Sequence, residues 1–219
     1  MHEDFFCMRA RFDPSDGYAS VSLVNMALKD GKKPDRDTGK VTLFSLESLG
    51  MILDHAKNTD EAIGIIEKHN LYFPKVPQHF LISDKSGHSV IIEYGKTGVS
   101  VIGPKSPYQI CANAPVFGSA LILAGYREIF CAGTHFNNDA YGNSYYRLLA
   151  AEDDLIRNKG SLSAETGMTM LKDVSMDRNS QDTKYPTLWS VVYLSTGAVT
   201  VAIARNYGNI YRYRPDMSE

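Results

Sequence analysis

The segment Gln109-Ile-Cys-Ala-Asn-Ala-Pro-Val-Phe117 places an asparagine at the end of an apolar run, with a proline two residues beyond it. An Asn side chain offers two N–H donors and one acceptor. At a strand end, Asn113 can therefore present a donor to a ligand or to an oxyanion developing on an attacked carbonyl. It can equally cap the rigid turn that Pro115 imposes, and the local sequence leaves both readings open. Arg147 is the second such residue. It lies early in an apolar helix containing Leu148, Leu149 and Leu155, where an arginine pairs with a buried carboxylate, faces a site, or snorkels over the core. His79 and Glu93 stand at opposite ends of one hairpin. A metal would need a third ligand in register with them, and none is evident, so no metal is expected and Glu93 is expected to satisfy backbone or an arginine. Of the three cysteines, Cys111 and Cys131 read as core, and Cys7 lies six residues from the start. The GxSxG, HExxH, P-loop and GxGxxG patterns are all missing.

Bulk properties narrow the classes. At 219 residues and 43% hydrophobic, the chain is long enough for one domain with a sizeable core. A net charge of -2 gives no footprint for nucleic acid or an anionic membrane. No apolar run reaches the roughly 20 residues that span a bilayer. The first residues, Met-His-Glu-Asp-Phe-Phe, lack the basic start of a secretory signal. Three cysteines without CxxC spacing suit neither a disulfide framework nor a zinc site, so a reducing, cytoplasmic setting is the default expectation.

The elements that must hold these side chains follow from periodicity. Residues 1–44 are irregular, with one strand in Ala19-Ser-Val-Ser-Leu-Val and a charged loop over 29–40. A helix capped by Ser45 presents Leu46, Leu49, Ile52 and Leu53 on one face, and a second is capped by Asn58 or Thr59. An antiparallel meander of about four strands comes next. Phe80–Ser83 and Ser89–Tyr94 flank the turn Asp84-Lys-Ser-Gly87, Val99–Ile102 is the third strand, and Tyr108–Ala112 leads to Asn113. Residues 117–143 have no clear period. Helices from Ser144 to Lys159 and from Ser163 to about Val174 precede a polar loop over 177–186 and three closing strands, Leu188–Tyr193, Val199–Ala204 and Asn209–Tyr213. Such segregated blocks predict an α+β fold with antiparallel sheets.

Together these segments resemble the choloylglycine hydrolase and penicillin V acylase family, linear amide C–N hydrolases of the N-terminal-nucleophile (Ntn) superfamily, with acid-ceramidase-like and acyl-transferase relatives. His79 to Tyr94 is similar to the family's hairpin. Cys111-Ala-Asn-Ala-Pro-Val-Phe117 resembles its Thr-Asn-Ser-Pro-x-Phe turn, Ser144-Tyr-Tyr-Arg147 a helix start, and Thr187–Tyr193 its late strand. The likeness covers residues 41–214, so 1–219 is expected as a single Ntn-hydrolase-like domain with 45–214 as its core. The resemblance implies an αββα sandwich of two antiparallel sheets between helix layers. It also implies an N-terminal cysteine whose own α-amine is the base. By position, support of the nucleophile and the oxyanion falls to Asn113, and Arg147 belongs to the same polar cluster. The implied partner is a small-molecule N-acyl amide substrate of the bile-salt conjugate, penicillin V or acyl-homoserine lactone type. No cofactor is implied, and the oligomeric state is open, with a homo-oligomer allowed.

The front of the chain departs from the family. The Arg-Asn-x-Asp segment expected some sixteen to twenty residues after the nucleophile has no counterpart behind Cys7, where the window reads Leu23-Val-Asn25. The expectation is thus an N-terminally incomplete member, weakly active or inactive unless Cys7 serves or a missing front segment is supplied. The alternative is a non-catalytic remnant or ligand-binding module of the same fold.

Overall fold

The computed structural model describes the backbone of residues 6–8, 19–25, 39–73, 77–84, 86–95, 98–116, 120–132, 140–159, 162–176, 186–194 and 197–214. The chain folds into two compact units, 3–119 and 120–219.

The first unit is a five-stranded sheet with two helices on one face. In chain order its elements are β1 (Phe6–Met8), β2 (Ala19–Asn25), β3 (Thr42–Phe44), α1 (Ser45–His55), α2 (Thr59–Lys68), β4 (Asn70–Tyr72), β5 (Gln78–Asp84), β6 (Ser89–Gly95) and β7 (Gly98–Ile102). The sheet order is β1-β2-β5-β6-β7, antiparallel throughout, while β3 and β4 form a separate parallel pair. Alternation along β5 and β6 builds the core. Phe80 pairs with Ile92 and Ile82 with Val90, and all four are buried together with Leu49 and Ile52 of α1 and Ala62 and Ile66 of α2. Phe73 packs its ring edge-on against Tyr94 at 5.5 Å.

Local chemistry sets the helix ends. Asn58 caps α2, its side chain accepting from the Glu61 amide at 2.9 Å, as the sequence predicts. The predicted cap of α1 shifts by one residue. Phe44 holds that position, and its N–H donates to Glu47 Oε2 at 2.9 Å. Leu46 is correspondingly turned to solvent, leaving Leu49, Ile52 and Leu53 as the buried stripe. The hairpin turn is as expected: Asp84 Oδ1 accepts from the Ser86 amide at 2.9 Å, and Gly87 adopts φ of 85°.

The strand expected at Tyr108–Ala112 does not form. Residues 103–116 carry no regular strand, and the fourth long strand of the sheet is instead β2, in the Ala19 segment. Side-chain ties do the work of a ladder here. Gln109 Nε2, for example, donates to the Ile102 carbonyl at 2.8 Å.

The second unit contains α3 (Ala120–Cys131), α4 (Ala140–Arg157) and α5 (Ala164–Asp173), followed by β8 (Trp189–Tyr193), β9 (Val199–Ile203) and β10 (Ile210–Tyr213) in an antiparallel sheet of order β10-β9-β8. Helix α3 falls where no period is readable, and none of its residues is buried. Helix α4 begins four residues before Ser144, and Tyr145 on it stacks on Tyr126 of α3 at 4.8 Å. Ser163 caps α5 as predicted. Ser190, Thr200 and Ala202 are buried on the sheet face that meets α5. A Cβ on Gly167 would stand 3.3 Å from Val192, so glycine lets the helix approach closely. Trp189, Tyr193, Ile203, Tyr211 and Tyr213 are exposed residues of the same sheet.

Candidate functional site

Two buried polar residues of the first unit, His79 and Glu93, meet the segment that carries Asn113. His79 on β5 and Glu93 on β6 face each other one rung beyond the Phe80–Ile92 pair, and both are almost wholly enclosed. His79 Nδ1 lies 2.9 Å from Glu93 Oε1. The same carboxylate oxygen accepts the Val116 amide N–H at 2.6 Å. On the far side of the imidazole, Nε2 lies 3.4 Å from Cys111 Sγ. An ionised carboxylate can only accept, so Nδ1 carries the proton of that contact and Nε2 is left to meet the thiol.

Burial places this pair under strong constraint. A carboxylate out of water needs partners, and Glu93 has at least two in the imidazole and a backbone amide. The expectation that Glu93 satisfies backbone is met. His79 and Glu93 hydrogen-bond each other, and among the described residues no group of three or more His, Cys, Asp or Glu is arranged to hold a metal. Burial, and then the negative charge of Glu93, push the Cys111 thiol well above its ordinary range, so Cys111 stays protonated at neutral pH. The core reading of the cysteines changes in two ways. Cys111 is half-buried outside any strand with its sulfur against a histidine, and Cys131, the last residue of α3, is exposed.

Asn113 is half-buried in a bend midway between Cys111 and Val116, both of which are tied to the His79–Glu93 pair. Cys7 lies on the edge strand β1, where its backbone pairs with Ser22, which in turn pairs with Leu81, two residues from His79. Arg147 belongs to the second unit. It is half-buried on α4, and its Nε donates to the Val174 carbonyl at 3.0 Å, at the C-terminus of α5 where a cation suits the helix dipole. Its Nη1 lies 3.9 Å from Met176 Sδ.

A groove of about 580 Å³ in the second unit runs between α5 and the β9–β10 turn, lined by Glu165, Lys172, Asp173, Arg205 and Tyr207 among others. Its charges are of both signs. Tyr207 is anchored there by Ser190 Oγ at 2.7 Å and the Leu171 carbonyl at 3.2 Å.

Sequence reasoning kept His79 and Glu93 apart from Asn113. Hairpin register joins His79 to Glu93, since both sit the same number of rungs from the turn that follows Asp84, but it does not reach the Asn113 segment, which meets them through Cys111 and Val116. Among the described residues, no helix is long and apolar enough to cross a membrane.

Known structures share this fold. A mutant of the conjugated bile acid hydrolase from Clostridium perfringens superposes with a TM-score of 0.64 at 16% identity, over 90% of this chain and 69% of that one. A second variant of the same enzyme gives 0.63 at 16% identity, over 91% and 72%. Penicillin V acylase from Agrobacterium tumefaciens gives 0.66 at 19% identity, over 90% of this chain and 63% of its own. The predicted class, helices with antiparallel sheets of the Ntn-hydrolase type, is the class these enzymes share. No curated protein matches the sequence. The sequence model of the linear amide C–N hydrolases, choloylglycine hydrolase family, matches residues 17–131, more than half of the chain and all of the His79–Val116 cluster. The chain is a member of the choloylglycine hydrolase family of linear amide C–N hydrolases.

Proposed function

We propose that the chain hydrolyses the linear amide bond of a small N-acyl compound, of the bile-salt conjugate or penicillin V type, with Cys7 as nucleophile and Asn113 as oxyanion donor. The observation that carries the hydrolase reading is the family match over residues 17–131, which spans the Asn113 bend and the hairpin behind it; Cys7 lies outside that match and is assigned from the resemblance to a cysteine-nucleophile family. Cys7 lies inside a peptide bond, so the mechanism first requires cleavage between Phe6 and Cys7 to free its α-amine. That amine then takes the thiol proton, and the thiolate sulfur bonds to the substrate carbonyl carbon. The carbonyl oxygen becomes an oxyanion, to which the Asn113 NH2 group donates. Collapse breaks the C–N bond, and the ammonium returns its proton to the departing amine. Water activated by the same amine cleaves the thioester and regenerates the thiol.

The test is turnover of chromogenic N-acyl amides, with intact-mass analysis of the protein. Loss of residues 1–6, a trapped thioester and abolition of both turnover and adduct in Cys7→Ala are the expected results. Robust turnover in Cys7→Ala would sink the nucleophile assignment. A protein that stays uncleaved yet binds N-acyl ligands would favour the second reading, a binding module. That reading rests on the Cys7 amine being held in a peptide bond.

A further inference from the structure

The His79–Glu93 pair has no step in the scheme above, although it is the most deeply buried ionisable pair among the described residues. We infer that Glu93, acting with His79, is a positioning residue that fixes the direction of the Asn113 side chain. The inference rests on the reading of Asn113 as oxyanion donor.

Three observations carry it. First, residues 103–116 form no regular strand, so individual hydrogen bonds place this segment. Second, the segment is tied on both sides of Asn113 to one buried unit: Cys111 Sγ to His79 Nε2 at 3.4 Å before it, and the Val116 amide to Glu93 Oε1 at 2.6 Å after it. Third, Glu93 Oε1 receives both Val116 N–H and His79 Nδ1 at 2.9 Å, so one carboxylate oxygen links the two ties. The arrangement makes the bend depend on a charge. Hydrogen bonds to an ionised acceptor are roughly twice as strong as neutral ones, so neutralising Glu93 loosens the downstream tie without removing any atom from the core. The protonated Cys111 thiol is an anchor in this scheme and takes no nucleophilic part.

Glu93→Gln is the direct test, because it keeps shape and removes charge. Two readouts are taken on the full chain: steady-state kinetics on a chromogenic N-acyl amide, and hydrogen exchange at the Val116 amide. The expected result is a fall in kcat of about tenfold with KM within about threefold, and exchange at Val116 about tenfold faster. A pocket-shaping role for Glu93 would instead raise KM at constant kcat, and that result would overturn the inference. So would unchanged exchange at Val116, whatever the kinetics. If the wild type turns over no amide, the functional reading fails separately, and Val116 exchange with the Asn113 side-chain amide resonances still decides the positioning. If Glu93→Gln does not fold, Cys111→Ala tests the upstream tie. It should speed exchange at the Asn113 amide while leaving Val116 protected, and an unchanged Asn113 would overturn the inference.

Discussion

Replacing Asp84 with alanine should uncouple α2 from the hairpin that carries His79 and Glu93. The carboxylate joins the two. Oδ2 accepts from the Thr59 amide and the Thr59 hydroxyl, each at 3.1 Å, and Oδ1 accepts from the Ser86 amide at 2.9 Å and the Ser86 hydroxyl at 2.6 Å. Thr59 is the first residue of α2 and is buried, so Asp84 serves as an N-terminal acceptor supplied from another element. A hydrogen bond to a charged group contributes about 1.5–3 kcal/mol, but Asp84 is only half-buried and the Ser86 pair faces water. Weighting the Thr59 pair and discounting the rest gives a cost of about 2 kcal/mol for Asp84→Ala. Burial raises the Asp84 pKa, but the hydrogen bonds from Ser86 and Thr59 outweigh it, and the group lies below its ordinary value. A carboxylate with a depressed folded pKa stabilises fully above its unfolded value of about 3.9, and that contribution is lost as pH falls through the folded pKa. The gap between wild type and variant should therefore be complete at pH 7 and narrower at pH 2 than at pH 5. Hydrogen exchange at the Ala62 and Ile66 amides, buried in α2, measures the gap within this unit. A gap at pH 2 as wide as at pH 7 would refute the reasoning, as would a cost below about 0.5 kcal/mol at neutral pH.

Two simpler perturbations probe the same scaffold. Asn58→Ala removes the acceptor for the Glu61 amide and should cost about 1 kcal/mol, whereas Asn58→Asp should cost little because the helix dipole favours the added charge; urea midpoints of the three proteins check both. Phe80→Ala empties a fully buried site beside Phe73 and Ile92 and should cost about 3–5 kcal/mol, with a cost below about 1.5 kcal/mol showing that the core collapses into the space.

How much the sequence discloses depends on whether a segment has neighbours that enforce a period. β5 and β6 read correctly because one face packs on α1 and α2, which gives Phe80, Ile82, Val90 and Ile92 their alternation. Asn58 and Ser163 were legible because capping is a local event. Helix α3 was not, since a helix without buried residues needs no apolar stripe. β3 and β4 are three residues each, too short for any period to show. The Tyr108–Ala112 run is apolar enough for a strand, yet it is held by Gln109, Cys111 and the amide of Val116, and such ties leave no pattern in sequence. For the candidate site, the sequence marks Asn113 by its type and by the proline two residues after it. The contacts of its neighbours Cys111 and Val116 with a histidine and a glutamate 34 and 20 residues before Asn113 leave no pattern in the sequence, and only the fold shows them.

The exposed aromatic residues of the β8–β10 sheet include Trp189, the single tryptophan of the chain. No second indole contributes to the emission, so intrinsic fluorescence excited in the indole band reports on one place in the molecule. At 42% exposure the ring is partly hydrated, and its emission should shift to shorter wavelength whenever that surface is covered. The chain thus carries a built-in optical label, remote in sequence from Cys7 and Asn113, that needs no dye and leaves both residues untouched.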